Sequence, residues 1–376
     1  MNDNVVYVGL DYHQDVIQAC VLDRAGNVLA NRPCANAWRD VVASVPGGAP
    51  AGARVHASIE ASCGSANLAD ELMARAAWRV DLAHPGYVNR LKQSPDKTDF
   101  SDARLLADLT RVGYLPRVWL ASEPIRQLRA LVRYRQALVR QRRSAKQQIR
   151  ALLRQQRLRA PGGMNPWTKA WLAWVGEQAP LGEQGGWIAG RLLARLGQVA
   201  DEIKAVEKRL EQVTADDPIV ARLRTMPAVG LVTAVTLRAM IGRFDRFATG
   251  KQLARFCGLS PRNASSGARV ADAGLVAACD RELRACVIEA AHRLMRLDAR
   301  WSALANQLRA RGKKICLVAA AIGNRWLRWL YHAMKETEAG QTPPPAGQQP
   351  ESKTKKEAIE GKTAGRRRRS KMALAG

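Results

Sequence analysis

The chain has 376 residues, 47% hydrophobic and 25% charged, a composition that excludes wholesale disorder and suits two or three domains with real cores. Sixty Lys and Arg against 33 Asp and Glu leave a formal charge of +27, unlike an ordinary enzyme of small metabolites, so the partner is nucleic acid, an anionic membrane surface or an acidic protein. There is no apolar run of roughly 18 residues, the N-terminal MNDNVVYVGLDYH lacks the pattern of a secretion signal, and seven cysteines are scattered without a CxxC; a cytoplasmic protein with reduced, mostly buried thiols is expected, with no disulfide framework and no structural zinc.

In chain order, residues 1–90 alternate with strand period through VVYVGLDY, VIQACVLD and NVLANRPC, then ARVHASIEAS after the break VPGGAPAGA. A helix follows over roughly 65–77, and WRVDLA reads as another strand. Three strands on short turns, then a strand and a helix, predict an α/β domain with a mixed sheet over 1–116. SPDKTDFSDARLLADLTRVG opens with turn residues and sets Leu105, Leu106 and Leu109 on one helical face, so Asp99 and Asp102 fall at a helix start, where the dipole favours acids.

From Glu123 to Arg159 the chain has Pro124 near its start and then neither Pro nor Gly, and Leu131, Leu138, Ala145 and Leu152 recur every seven residues, predicting one long amphipathic helix. After a Gly, Pro and Trp-rich interruption, Leu192, Leu196, Val199, Ile203, Val206, Leu210 and Val213 repeat with 4,3,4,3 spacing. Such a coiled-coil seam wants a partner, either the first helix folded back or a second copy of the chain, and the segment 117–216 is read as this helical middle. Trp167, Trp171, Trp174 and Trp187 lie between the two helices, with a spacing that suits a packed cap better than a base-stacking platform.

Beyond residue 217 a mostly α region is expected to reach 338, with helices near 280–310 and 313–336. Within it LRTMPAVGLVTAVTLRAMIG puts Pro227 and Gly230 between two apolar helical segments, the layout of a helix-hairpin-helix that grips phosphate through backbone N–H groups. Ala228 stands where that motif commonly has Gly, and an ordinary tight turn fits the spacing equally well. From 339 the chain is rich in Pro, Gln, Ser and Lys and ends GRRRRSKMALAG, a disordered basic tail by composition.

The charge is unevenly placed. Residues 1–90 hold seven Lys and Arg against nine acids, whereas 117–159 hold thirteen against Glu123 alone, and twelve of the thirteen are Arg, whose planar fork matches phosphate oxygens. Solvated helix faces usually mix signs. Arg126, Arg129, Arg133, Arg140, Arg143, Lys146 and Arg150 are therefore candidate nucleic-acid contacts. Four carboxylates are candidates for chemistry: Asp11 ending the first strand, Glu60 ending the fourth, and Asp99 and Asp102 on one face of a helix start. Such hard oxygen ligands hold Mg²⁺ or Mn²⁺, and two ions about 4 Å apart stabilise the attacking and leaving oxygens of phosphodiester transfer. Taken singly, an Asp closing a strand is commonly a turn residue and an Asp at a helix start commonly a cap.

VGLDYHQDVIQACVLD around Asp11, ASIEAS around Glu60, KTDFSDARLLA with Asp99 and Asp102, and LRTMPAVGLVTAVTLRAMIG followed by FCGLSPRNASSG together resemble the DEDD transposases of bacterial insertion sequences, over roughly residues 5–335. The resemblance implies an RNase H-like (RuvC-like) catalytic domain, a coiled-coil segment and a C-terminal transposase domain with a strand-exchange serine. Carried over, Asp11, Glu60, Asp99 and Asp102 are the catalytic acids and ligands of Mg²⁺ or Mn²⁺, and Ser266 is the nucleophile that links covalently to DNA phosphate, with Ser265 as the alternative. Arg262 and Arg269 flank that serine and are candidates to stabilise phosphate charge, as is Gly230 in the hairpin turn.

The resemblance further implies DNA of an insertion sequence as substrate, a homo-oligomer (dimer or tetramer) in which the acids and the serine meet over one phosphate, and a structured guide RNA encoded by the element. Pairing would then supply specificity while Arg-rich helices hold backbones. The chain departs from the family where Ala277, Ala278, Cys279 and Asp280 replace a Lys and a Gly-Asn pair, and where Gln14 replaces a common Lys. Two rivals stand beside this reading: a resolvase-like metal nuclease that uses the acids alone, and a nucleic-acid-binding protein with a decayed site.

Overall fold

The structure, a computed structural model, describes residues 5–45, 53–92, 98–263 and 272–339. The expected basic tail, Ser265, Ser266 and Arg269 lie outside the described residues. Two compact units are present, the first running to Leu120 and the second starting at Ala121.

In the first unit β1 (Val5–Tyr12), β2 (Val16–Leu22) and β3 (Val28–Ala35) form an antiparallel meander. After the short α1 (Trp38–Ala43), β4 (Arg54–Glu60) returns parallel to β1; α2 (Ser65–Ala76) leads to β5 (Arg79–Ala83), parallel to β4. Then α3 (Pro85–Val88), α4 (Asp99–Arg111) and the two-residue β6 (Arg117–Val118) complete a six-stranded mixed sheet of order β3-β2-β1-β4-β5-β6. The alternation expected from the sequence is what buries one face: Val6, Val8, Leu10, Ile17, Ala19, Val21, Ala57 and Ile59 share a core with Leu68, Ala69 and Leu72 of α2. The elements that the periodicity did not reveal, α1, α3 and β6, are too short to show a period.

On the other face lies α4, with Ala103 and Ala107 buried against Cys20 and Leu22. Gly9 permits this approach, because a methyl there would overlap the Ala103 carbonyl oxygen and the Ala107 nitrogen. Buried Ser58 donates its hydroxyl to the Leu106 carbonyl at 3.0 Å, and Asn31 donates to the Phe100 carbonyl at 3.1 Å, so β4 and β3 both fix the helix on the sheet. At the sheet's other edge Asp81 takes a 2.8 Å hydrogen bond from His56 and pairs with Arg117 at 3.1 Å, tying β4, β5 and β6.

Among the described residues the second unit is helical apart from one small antiparallel strand pair. Its elements are α5 (Glu123–Gln155), α6 (Lys169–Ala173) with a following π-turn, α7 (Gly182–Val213), α8 (Pro218–Arg224), α9 (Leu231–Ile241), α10 (Gly250–Phe256), β7 (Pro261–Asn263), β8 (Asp272–Leu275), α11 (Arg281–Leu297), α12 (Ala299–Ala310) and α13 (Ile315–Ala339). The two long helices α5 and α7 lie against each other: Tyr134 donates to Glu202 at 3.1 Å and Arg135 to Glu207 at 2.7 Å. Val199, Ile203, Val206 and Leu210 are buried in one core with Leu128, Val132 and Leu138, so the first helix folded back is what covers the seam. The same core continues through α9, α11 and α13.

Several boundaries depart from expectation. The seam ends at Leu210: Val213 is 43% exposed and Thr214 is buried instead, its hydroxyl turned onto the Leu210 carbonyl as the helix closes. The first long helix stops at Gln155 and not at Arg159, because Arg157 takes a left-handed conformation (φ 52°) and Leu158 N–H bonds back to the Leu153 carbonyl at 2.9 Å. The helix expected over 280–310 is two, since the Asp298 carboxylate accepts from Trp301 N–H and starts a new one. Trp171 and Trp174 pack with Ile149, Leu153 and Leu181 as a cap, but Trp187 sits on α7 and is 67% exposed. All seven cysteines are free; only Cys20 and Cys257 are fully buried, so the thiols are less buried than expected. Among the described residues no helix is long and apolar enough to cross a membrane.

Candidate metal centre

The carboxyl ends of parallel strands are where α/β sheets gather ligand groups. Leu10 pairs with Ile59 across β1 and β4, so Asp11 and Glu60, the next residues, end adjacent strands in step. Asp11 continues the β1 ladder opposite Gln18 and is not a turn residue. The helix acids are not caps either: Thr98 is the N-cap of α4, accepting from Ser101 N–H, which leaves Asp99 and Asp102 in the first turn with their carboxylates uncommitted to capping.

His13 joins these groups. Its Nε2 stands 3.4 Å from Asp11 Oδ2 and 3.5 Å from Asp99 Oδ1. The turn that carries it is held by Asn36, which donates to the His13 and Gln14 carbonyls at 2.8 and 3.0 Å. One ligand atom from each of Asp11, His13 and Asp99 lies within 4.8 Å of the others, an O, N, O donor set. Two hard oxygens fit Mg²⁺ or Mn²⁺, and the imidazole tilts the set toward Mn²⁺. Asp102 is buried close by, and its Oδ2 receives Lys92 Nζ at 2.7 Å. Burial pushes the Asp11 carboxyl above its ordinary range; His13 opposes this, while Asp102 and Asp99 push the same way. A cation placed among these mutually repelling carboxylates would relieve their repulsion.

Neither His13 nor Lys92 is among the sequence-derived site residues. Strand period offers a signal for His13, since positions 11 and 13 share a face if β1 is continued. Lys92, ten residues before Asp102 in an irregular stretch, has no pattern to announce it.

In the second unit the arginine stripe divides. Arg126 donates to the Ala121 carbonyl at 2.7 Å, Arg129 to the Ala239 carbonyl at 3.1 Å, and Arg140 pairs with Glu282 at 2.8 Å. Farther along α5, among the described residues, Arg142, Arg143, Lys146, Arg150 and Arg154 form no carboxylate ion pair. Burial, with Arg142 and Arg150 close by, pushes the Lys146 ammonium below its ordinary range. Arg133 is exposed on the same helix. Gly230 is the N-cap of α9, beside a cavity of about 520 Å³ that Arg293 also lines. Ala228, in the turn before it, has φ 63°, the conformation that glycine takes in the commoner motif. Arg262 is exposed on β7, and β7 and β8 bracket residues 264–271.

A mixed sheet carrying an acid and histidine cluster on its strand ends is consistent with the class of metal-dependent α/β nucleotidyl-transferase domains. Family models take the assignment further: a DEDD transposase model of IS110 type matches residues 8–157, and the model of the transposase IS116/IS110/IS902 family matches residues 220–306. The chain is 26% identical over 341 residues to the transposase for insertion sequence element IS1111A of Coxiella burnetii, covering 89% of this chain and 91% of that one. It is 27% identical over 334 residues to a probable family 20 transposase of Pseudomonas aeruginosa, covering 87% and 96%. It is 26% identical over 272 residues to the transposase for insertion sequence element IS1328 of Yersinia enterocolitica, covering 71% and 80%. The chain belongs to the IS110-type DEDD transposases.

Proposed function

We propose that this transposase cuts and rejoins the DNA of an insertion sequence, using a divalent metal held by Asp11, His13 and Asp99, with Glu60 and Asp102 completing the acid set and Ser266 as nucleophile. The observation that carries the metal assignment is the approach of His13 to both Asp11 and Asp99 on the sheet's carboxyl edge. When bound, Mg²⁺ or Mn²⁺ supplies charge that stabilises phosphoryl oxygens. Asp11, Asp99 and His13 orient it, and Lys92 holds Asp102 in place. The Ser266 oxygen bonds to the scissile phosphate as one deoxyribose oxygen leaves, the serine proton being passed on so that the leaving oxygen departs as a hydroxyl; a second deoxyribose hydroxyl later displaces the serine and gives up its proton to restore the serine hydroxyl, so bond energy is kept for rejoining.

The α5 and α7 pair serves as a coiled coil in a homo-oligomer, and the turn before α9, with Gly230 at its end, grips phosphate as a helix-hairpin-helix. The unpaired cations of α5 hold nucleic-acid backbone, and an element-encoded guide RNA supplies target choice in a cytoplasmic, nucleoid-associated complex; Arg-rich surfaces with few base-reading groups support that division of labour. Arg262 and Arg269 attend the serine. The test is recombination between plasmid-borne element ends: Asp11→Ala, Asp99→Ala and Ser266→Ala each abolish product and keep DNA binding. Full recombination by any of them overturns its assigned role. A metal-dependent cut that leaves no protein–DNA adduct points to the acids-only nuclease, and sequencing of co-purifying RNA tests the guide.

A further inference from the structure

Where α5 ends, a cavity of about 530 Å³ opens that the chemistry above does not use. Its size lies within the roughly 300–1,000 Å³ of small-molecule sites. Leu153, Leu158 and Trp171 give it an apolar lining; Arg150, Arg154 and Arg159 give it three guanidinium groups. The helix end builds it. Arg150 and Arg154 share a face one turn apart, and the left-handed Arg157, with the Leu158 to Leu153 hydrogen bond, reverses the chain so that Arg159 joins them.

The lining is pre-formed. Trp171 is 4% exposed and packed against Trp167 and Trp174, with ring centroids 4.6 and 6.5 Å away. Among the described residues none of the three arginines forms a carboxylate ion pair; Arg150 lies over the Trp167 ring, 5.2 Å from its centroid, and Arg154 donates through Nε to the Arg150 carbonyl at 3.3 Å, contacts that leave their charge unneutralised. An apolar recess rimmed by guanidinium groups that no carboxylate neutralises matches a flat base with a phosphate on either side. A paired duplex hides its bases and cannot fill the recess; a bulge, loop or frayed end can. The side-chain amide of Gln147, also in the lining, offers both a donor and an acceptor to a base edge.

We propose that this cavity binds one unpaired nucleotide, its base against Leu153, Leu158 and Trp171 and its flanking phosphates on Arg150, Arg154 and Arg159. The proposal rests on the chain's handling nucleic acid. The test uses the full chain and fluorescence anisotropy at one fixed salt concentration, with labelled RNA and DNA hairpins, each made fully paired or with a single-nucleotide bulge. The unmodified protein binds at least one bulged hairpin tenfold or more tightly than its paired twin, and whether RNA or DNA shows the preference identifies the source. Leu158→Trp fills the cavity without changing charge and erases that preference while paired-hairpin affinity stays. Arg154→Gln with Arg159→Gln weakens bulged binding tenfold, whereas Arg142→Gln with Arg143→Gln, equal in charge but outside the cavity, weakens both hairpins alike. Equal affinity of the unmodified protein for bulged and paired hairpins, or an undiminished preference in both cavity variants, overturns the proposal. Failure to bind any hairpin overturns the nucleic-acid reading itself.

Discussion

Replacing Gly9 by alanine puts a methyl group where α4 lies on β1. The atoms it meets, the Ala103 carbonyl oxygen and the Ala107 nitrogen, are helix backbone, so no side-chain rotation relieves the overlap. Carbon needs about 3.5–4 Å from its neighbours, so α4 has to retreat by about 1 Å or more. Overpacking of this kind costs about 1–3 kcal/mol. At about 4 °C for each kcal/mol in a domain of this size, the first unit's Tm falls by about 4–12 °C. Asp99 travels with α4, which stretches the 3.5 Å approach to His13, and Mn²⁺ affinity measured by titration calorimetry falls at least tenfold. Gly197→Ala is the control: nothing lies within 4 Å of that position in α7, so the change raises stability by about 0.5–1 kcal/mol. A Gly9→Ala protein that melts within about 1 °C of its parent and binds Mn²⁺ equally well would refute the claim that a bare backbone at Gly9 positions the site.

Lys92→Met leaves the buried Asp102 carboxylate without its ammonium, a loss of about 3–5 kcal/mol without metal. Without the competing ammonium the acid cluster binds Mn²⁺ more tightly, and at one fixed Mn²⁺ concentration each tenfold gain in affinity adds about 1.4 kcal/mol of stabilisation, so the variant's Tm rises more with Mn²⁺ than the parent's; equal rises in thermal melts contradict the reasoning. Burial pushes the Asp81 carboxyl up, but the His56 hydrogen bond and the charges of Arg117, His56 and Arg79 outweigh it and hold it below the usual range. A lowered pKa in the folded state means that ionised Asp81 stabilises above about pH 4 and that this share is lost as pH falls through the folded value. Asp81→Asn therefore flattens the acid side of the stability curve in denaturant titrations, and identical acid limbs would be inconsistent with the brace. Neutralising Arg143, Lys146 and Arg150 flattens the log–log salt dependence of DNA binding by roughly 0.7–0.9 for each phosphate that the side chains engage. An unchanged slope returns that face of α5 to plain solvation.

The sheet was legible because Val6, Val8 and Leu10 alternate with period two, and the two long helices because their apolar residues keep a heptad. Asp11, Asp99 and Asp102 could be picked out because strand ends and helix starts are local events. What joins them is not local. His13 reaches Asp99 only because Asn36 ties down its turn and Gly9 lets α4 come close, and Lys92 meets Asp102 across a stretch with no period. Helix ends were misplaced where an unexpected residue does the job: Arg157 takes the position usually signalled by glycine, and Asp298 closes one helix while capping the next. Ala228 shows the opposite case. The departure from the usual hairpin glycine was visible, and the backbone still adopts the left-handed conformation there.

The central claim is that Asp11, His13 and Asp99 form one metal site that drives DNA strand transfer. Its most direct test is Mn²⁺ titration calorimetry on the parent chain and on His13→Ala, with recombination of plasmid-borne element ends followed in the same samples. The account predicts that His13→Ala weakens Mn²⁺ binding at least tenfold and lowers recombination in parallel, with partial rescue at high Mn²⁺. Unchanged Mn²⁺ affinity, or full recombination by a variant that no longer binds the ion, would contradict it.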